Sequence, residues 1–345
     1  MTDERVGAYA DLLLDYSLGV QAGWQVLVAT TTEAQPLAEA LSRGLARRGA
    51  YCLRRIDFGA PFPVDLDWIE AAPPGLAATM PPLERAVLDG VDAAAFVLAP
   101  AGEPGATAVP EHARAAFRAH VTAARARGRR SEIPTVRCDF PCRSFAERAG
   151  ISLAAYEKVF YAACLRDWEA ERRRMEPVRE RLDAAGELRI VGEGTDVRLS
   201  LEGRRSAIDD GHLNVPGGEV FACPVEDSVE GEIRFSFASG AVEGISLVLR
   251  AGEVVDASAE RGEDVLRQAL ATDEGARRVG EVGVGCNDGI AQHLNNVLFD
   301  EKMAGTVHLA LGHGFEFLGG RNHSDLHWDL VTEPTELWLD RERLL

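Results

Sequence analysis

The chain lacks any run of about 18 uninterrupted apolar residues, so no membrane-spanning helix is expected. It also lacks an excess of positive charge: 37 Lys and Arg stand against 55 Asp and Glu, a formal net charge of -18. Nucleic-acid binding calls for a basic face, so nucleic acid is not an expected partner. A ligand bearing an amine or another cation is compatible with this balance. The opening MTDERVGAYADLLLDYSLGV has no basic stretch leading into an apolar core, so a secretory signal is not expected. Cysteines at zinc-ribbon spacing are missing. The six (Cys52, Cys138, Cys142, Cys164, Cys223 and Cys286) are scattered, with Cys138 and Cys142 the one close pair, and read as reduced thiols of a cytoplasmic protein. No HExxH, P-loop or GxSxG motif occurs, and no GxGxxG follows the first strand-like segment.

A length of 345 residues suggests two domains, at roughly 100–200 residues each. In the first part, apolar β-branched runs alternate with helical spacing. Residues 4–20 read as a helix and QVLVAT as a buried strand. Thr30 and Glu33 fit a capping box that opens a helix carrying Leu37, Ala40, Leu41 and Leu45, and YCLRRI follows as a strand. Pro82–Leu88 (helix), Ala94–Leu98 (strand), Pro110–Arg127 (helix) and Thr135–Cys138 (strand) continue the pattern. This β-α-β order predicts a mainly parallel sheet in an α/β amino-terminal domain. Ser152 to about Ala185 reads as one or two long helices, and Gly186 to Gly194 as a hinge. The expected division is therefore 1–185, the α/β domain with its helical linker, and 186–345. Beyond the hinge, short alternating segments (LRIVGE, DVRLSL, EIRFSF, GISLVLR, EVVDASAE) joined by Gly-rich turns predict a β-rich α+β carboxy-terminal domain. Its one clear helix is expected over Glu260–Asp273.

Within this second domain, four strand-like segments each carry metal-ligating side chains. Residues two apart on a strand share a face. In LHWDL, His327 and Asp329 therefore project together, with Leu326, Trp328 and Leu330 behind. In TVHLALG, His308 opposes Val307, Leu309 and Leu311. In RRVGEVGVG, Glu281 shares its face with Gly283 and Gly285, which leaves open space around it. In PGGEVFACP, Glu219 stands between Gly218 and Val220. A carboxylate inside an apolar strand is costly to bury unless it is paired or binds a cation. Three carboxylates and two imidazoles suit zinc, cobalt or manganese, with magnesium a further possibility. Five ligands exceed what one catalytic zinc needs, which favours two ions sharing a bridging carboxylate, and so metal-assisted hydrolysis.

The segments NVPGGEVFACPVEDSVEG, RRVGEVGVGCNDGI, LFDEKMAGTVHLALG and GGRNHSDLHWDL resemble the thermophilic metalloaminopeptidase family of aminopeptidases T and S. The opening YADLLLDYSLGVQAGWQVLVATTTEAQPLAEALSRGLARRGA and the stretch RAGISLAAYEKVFYAACLRDW are similar to it as well. The resemblance implies a homodimer of subunits with an α/β amino-terminal domain and a β-rich catalytic domain. It implies two divalent ions, typically zinc or cobalt, and removal of amino-terminal residues from a peptide or an amino-acid-derived substrate with a free amine. The ligands carried over are Glu219, Glu281, His308, His327 and Asp329; Glu219 and Glu281 would be catalytic, with Glu226 in PVEDSVEG a proton-handling candidate. One departure is Phe315, where the family has a tyrosine seven residues after the His308 position, which leaves a repurposed, non-peptidase metal-binding relative as one alternative; His313, His323 and Asp325 lie nearby in sequence. A 2,5-dihydroxypyridine dioxygenase, with one ferrous ion held by two histidines and a carboxylate, is the alternative on a related scaffold. In that relative a histidine stands where this chain has Glu281.

Overall fold

A computed structural model describes residues 3–58, 65–100, 113–129, 132–334 and 336–344. The chain divides into two compact units. One runs to Leu165 and takes in Gly211–Pro216; the other comprises Arg166–Asp210 and Gly217–Leu345.

The first unit is built on a parallel sheet. Strands β1 (Gln25–Thr31), β2 (Tyr51–Asp57), β3 (Ala93–Leu98) and β4 (Thr135–Asp139) are ordered β2-β1-β3-β4, and Asn214–Val215 adds a short parallel pairing beside β4. This is the arrangement that the β-α-β pattern predicts. Strand β1 is buried from Val26 to Thr31, as a central parallel strand requires. Leu27, Ala29, Ala94 and Phe96 pack with Leu88 and Val91 of the intervening segment. Strand β2, at the edge, is largely exposed.

Several local expectations change. The Thr30/Glu33 capping box is not formed. β1 runs on to Thr31, whose hydroxyl bonds the carbonyl of Ala99, and a single 3-10 turn (Thr32–Ala34) precedes the helix Gln35–Arg47. Strand pairing thus took the threonine that local spacing offered to the cap. The amino-terminal α-helix ends at Leu12 and passes into a wider π turn over Leu13–Ser17. The helix expected from Pro110 is described over Arg114–Arg129, its earlier residues lying outside the described ones. Ser152 does cap the helix Leu153–Cys164, accepting from Ala155 N.

The second unit holds two antiparallel sheets. The seven-stranded one has the order 253–258, 246–250, 230–234, 195–200, 187–192, 336–339, 342–343. The five-stranded one contains β5 (Ser206–Asp209), β6 (Glu219–Ala222), β7 (Val279–Gly285), β8 (Val307–Gly312) and β9 (His327–Thr332), ordered β9-β8-β7-β6-β5. Leu188, Ile190, Val197 and Leu337 of the first sheet and Val282, Val284, Leu309 and Leu330 of the second belong to one hydrophobic core. The opposite face of β6–β9 is left for other side chains.

Helix Trp168–Ala184, expected with the first domain, packs on β5 and β6. The residues expected as a hinge form a strand, Glu187–Gly192. The compact units therefore part near residue 165, some twenty residues before the expected division. The Glu260–Asp273 helix is shorter, Glu263–Leu270. Gly262 before it has φ +72, and a Cβ there would stand 2.6 Å from Ala241 O, so the chain turns before the helix starts.

Candidate metal centre on the five-stranded sheet

Directly paired residues of neighbouring antiparallel strands project from the same face. Each of the five candidate ligands is paired with a residue that has little or no side chain. His327 pairs with Gly312, Asp329 with Ala310, Glu281 with the same Ala310, His308 with Gly283, and Glu219 with Gly285. The sheet face is thereby cleared between the ligands, and side chains from four strands reach one another across it.

The result is two groups with a common member. In the first, His308 Nε2 lies 3.5 Å from Glu219 Oε2 and 3.4 Å from Glu281 Oε1. In the second, His327 Nε2 lies 3.4 Å from Glu281 Oε2 and 3.4 Å from Asp329 Oδ1. Within each group the donor atoms all lie within 4.8 Å of one another. Glu281 thus turns one oxygen to each group. A tetrahedral ion about 2.1 Å from its ligands spaces them about 3.4 Å apart, so these separations fit a divalent cation.

Unsatisfied polarity points the same way. Glu219 Oε2 and His308 Nδ1 are buried without a hydrogen-bond partner, and such atoms are rare in a native interior. His327 Nδ1 lies 2.9 Å from the carbonyl of His313; with a proton held there, Nε2 donates to the carboxylates when the ring is charged, or turns its lone pair to a cation placed between it, Glu281 and Asp329. The two groups differ in access. Glu219, Glu281 and His308 are buried, whereas the side chains of Asp329 and His327 are 17% and 29% exposed.

The electrostatics require positive charge. Burial opposes a charged His327, but Asp329 and Glu281 outweigh it and push the imidazole up to about 10. Burial opposes a charged His308 as well; its contact with Glu281 and the charge of Glu219 push it up to about 9. Burial drives the Glu219 carboxyl upward against the pull of Lys302. For Asp329, His327 outweighs burial and holds the carboxyl well below the usual range. Without a cation, protons on the imidazoles are the charge that these carboxylates call in.

The groups behind Glu219 are not apparent from strand alternation. Lys302 is wholly buried, with its ammonium 2.9 Å from Glu219 Oε1, 3.7 Å from Asp209 Oδ2 and in contact with Glu301 Oε1. The available signal was a lysine, rare in this chain, a few residues before the apolar strand-like run TVHLALG. Asp209 and Glu301 could be placed only by the fold.

Glu226, expected to handle protons, lies in neither group. Its Oε2 accepts from Arg204 Nη2 at 2.6 Å and its Oε1 from Arg321 N at 2.7 Å, so both oxygens hold a loop in place. The Phe315 ring is 5.3 Å from that of His327 and packs edge-on against Phe221. His313 contributes its backbone carbonyl to His327. His323 is exposed near Glu316, and Asp325 is bonded through its backbone to Asp273. The open space beside Glu281 also has a different occupant: Gly283 makes room for the ring of His308.

This fold and donor set define a class of proteins that gather carboxylates and imidazoles on a β-sheet face to hold divalent cations. The chain belongs to the thermophilic metalloprotease family M29, whose model matches residues 2–338. It is 39% identical to aminopeptidase T of Thermus thermophilus over 204 residues, half of this chain and half of that protein's length. It is similar to the solved structure of wild-type AmpT from Thermus thermophilus, with TM-score 0.80 and 25% identity over 99% of this chain and 96% of the other. A 2,5-dihydroxypyridine dioxygenase from Pseudomonas putida shares the fold, with TM-score 0.60 and 15% identity over 100% of this chain and 96% of that one. The metalloprotease family implies use of a divalent metal, and the residues on this face fit one.

Proposed function

We propose that this protein is an aminopeptidase that holds two divalent ions, zinc or cobalt, between Glu219, Glu281, His308, His327 and Asp329. The observation that carries the reading is the divided carboxylate of Glu281, one oxygen in each group. Bound ions of this kind polarise a scissile carbonyl and lower the pKa of water. The chain's own side chains supply position and charge. Glu219 and His308 would hold the buried ion and His327 and Asp329 the one at the rim, with Glu281 contributing to both groups. The carbonyl of His313 keeps His327 in one tautomer. Substrate would approach from the His327–Asp329 side, where the face is accessible, and its free amine meets acidic surroundings there.

Each group contains one histidine and two carboxylates. The dioxygenase alternative calls for two histidines and one carboxylate around a single ion, so the donor sets favour the hydrolase. The family likeness supports a homodimer within this proposal. Among the described residues no helix is long and apolar enough to cross a membrane; a cytoplasmic location is proposed on the scattered cysteines alone, which form no disulfide among the described residues. The test is metal analysis of the purified protein together with turnover of amino-acid anilides after loading with zinc or cobalt. About two ions per chain and metal-dependent release of the amine are expected. One iron per chain without anilide turnover would refute the proposal. Glu281→Gln should cost both ions, whereas Glu219→Gln should weaken the buried one alone.

A further inference from the structure

Lys158 and Lys302 are the only lysines in a chain that otherwise uses arginine for its cations. Lys302 is completely buried, and three carboxylates surround its ammonium: Glu219, Glu301 and Asp209. A lysine offers three donors from one compact centre, where a guanidinium would present a planar fork. The turn that carries it is tied to β7. Gly285 N donates to Thr306 O at 2.9 Å, Gly305 N to Gly285 O at 3.1 Å and Asn287 N to Lys302 O at 2.8 Å. A Cβ on Gly285 would stand 2.1 Å from Met303 O, so the close approach of turn and strand depends on that glycine. The Thr306 hydroxyl closes the turn onto Met303 O at 2.8 Å. Burying an ammonium is costly, and a rigid mount for one beside a candidate ligand calls for a role beyond packing.

We propose that Lys302 is a positioning residue that makes Glu219 a one-oxygen ligand, an inference that rests on the two-ion reading above. Its ammonium occupies Oε1 at 2.9 Å, and Oε2, which has no hydrogen-bond partner, is left facing His308 and Glu281. With Oε1 engaged, Glu219 cannot swing to grip the ion with both oxygens, and its orientation in the first group is set. Charge supports the same role. The five carboxylates Asp209, Glu219, Glu281, Glu301 and Asp329 together with Lys302 carry a formal excess of four negative charges, which two divalent ions would balance.

The test uses the full-length protein and zinc, with the two affinities measured by competition against a chromophoric chelator and folding followed by thermal melting. The wild type comes first: binding of two ions is the earlier reading, and its failure is seen there. In Lys302→Met, one ion should bind about 10–100-fold more weakly, the usual effect of losing a ligand's outer partner, while the other keeps its affinity. With cobalt in place of zinc, the visible absorption of one ion should shift as Glu219 changes its mode of binding. Should removal of the ammonium alone unfold the protein, the double variant K302M/E301Q removes one carboxylate with it and is read in the same way. Two ions held with wild-type affinities and an unchanged cobalt spectrum would overturn the inference. Equal weakening of both would do so as well, since a general packing role would have that effect.

Discussion

Gly283→Ala tests the geometry of the centre with a single methyl group. Gly283 pairs with His308 across β7 and β8, and a Cβ on it would lie 2.1 Å from Cε1 and 2.4 Å from Nε2 of the imidazole. Carbon atoms settle about 3.5–4.0 Å apart, so the ring must retreat by roughly 1.5 Å. It has little room, being buried to 1% exposure. Overpacking of this kind costs about 1–3 kcal/mol of stability, a loss that leaves the protein folded if its stability lies in the ordinary range. The functional effect should be larger. His308 Nε2 sits 3.4–3.5 Å from its two carboxylate partners, and displacing a catalytic arrangement by about 1 Å can cost about 10² in turnover. The variant should therefore melt a few degrees early, bind one ion in place of two, and turn over an anilide at least about 100-fold more slowly. His308 belongs to one group only, so the ion proposed at His327 and Asp329 should still bind. Metal analysis, thermal melting and the anilide assay on one preparation give all three readings. A variant with two ions and wild-type turnover would refute the placement of His308 and the reason given for the glycine.

Phe315→Tyr should raise peptidase turnover, by as much as about 10²–10³ if its hydroxyl donates to the developing oxyanion; an unchanged kcat would show that the position lies too far from the reacting atoms. Glu226→Gln should give a pH-dependent loss of stability. Burial would raise the Glu226 carboxyl, but its hydrogen bonds from backbone N–H groups and Arg204 outweigh it and hold the folded-state pKa below the ordinary value. The stabilisation is then complete above the unfolded pKa of about 4.3 and is lost as pH falls through the lower folded value. Urea melts should show wild type about 1–2 kcal/mol more stable than the variant at pH 7, with the gap closing below about pH 4; a constant gap would exclude the charge as its source. Chelation should remove turnover and lower the melting temperature, because ion at about 100 times its Kd adds about 2.7 kcal/mol; equal melting with and without chelator would argue against ion binding by the folded state.

The sequence by itself determined which residues share a strand face and which chain class they serve. Alternation placed His327 with Asp329 and set Val282, Val284, Leu309 and Leu330 toward the core, because a strand has a period of two whatever its neighbours. The β-α-β order specified a parallel sheet for the first unit, since parallel strands need long crossovers. Tertiary structure decided which strands are neighbours and in what register. Only that register reveals that Gly312, Ala310, Gly283 and Gly285 clear the ground between the ligands, and that Gly283 serves His308 rather than Glu281. It brought Lys302, Asp209 and Glu301 behind Glu219 from distant parts of the chain, and it drew Glu226 away to Arg204 and Arg321. Local spacing failed at Thr30, where strand pairing outweighed a capping preference that is weak over a few residues. The helix Trp168–Ala184 was legible as a helix, but only tertiary packing set it on β5 and β6.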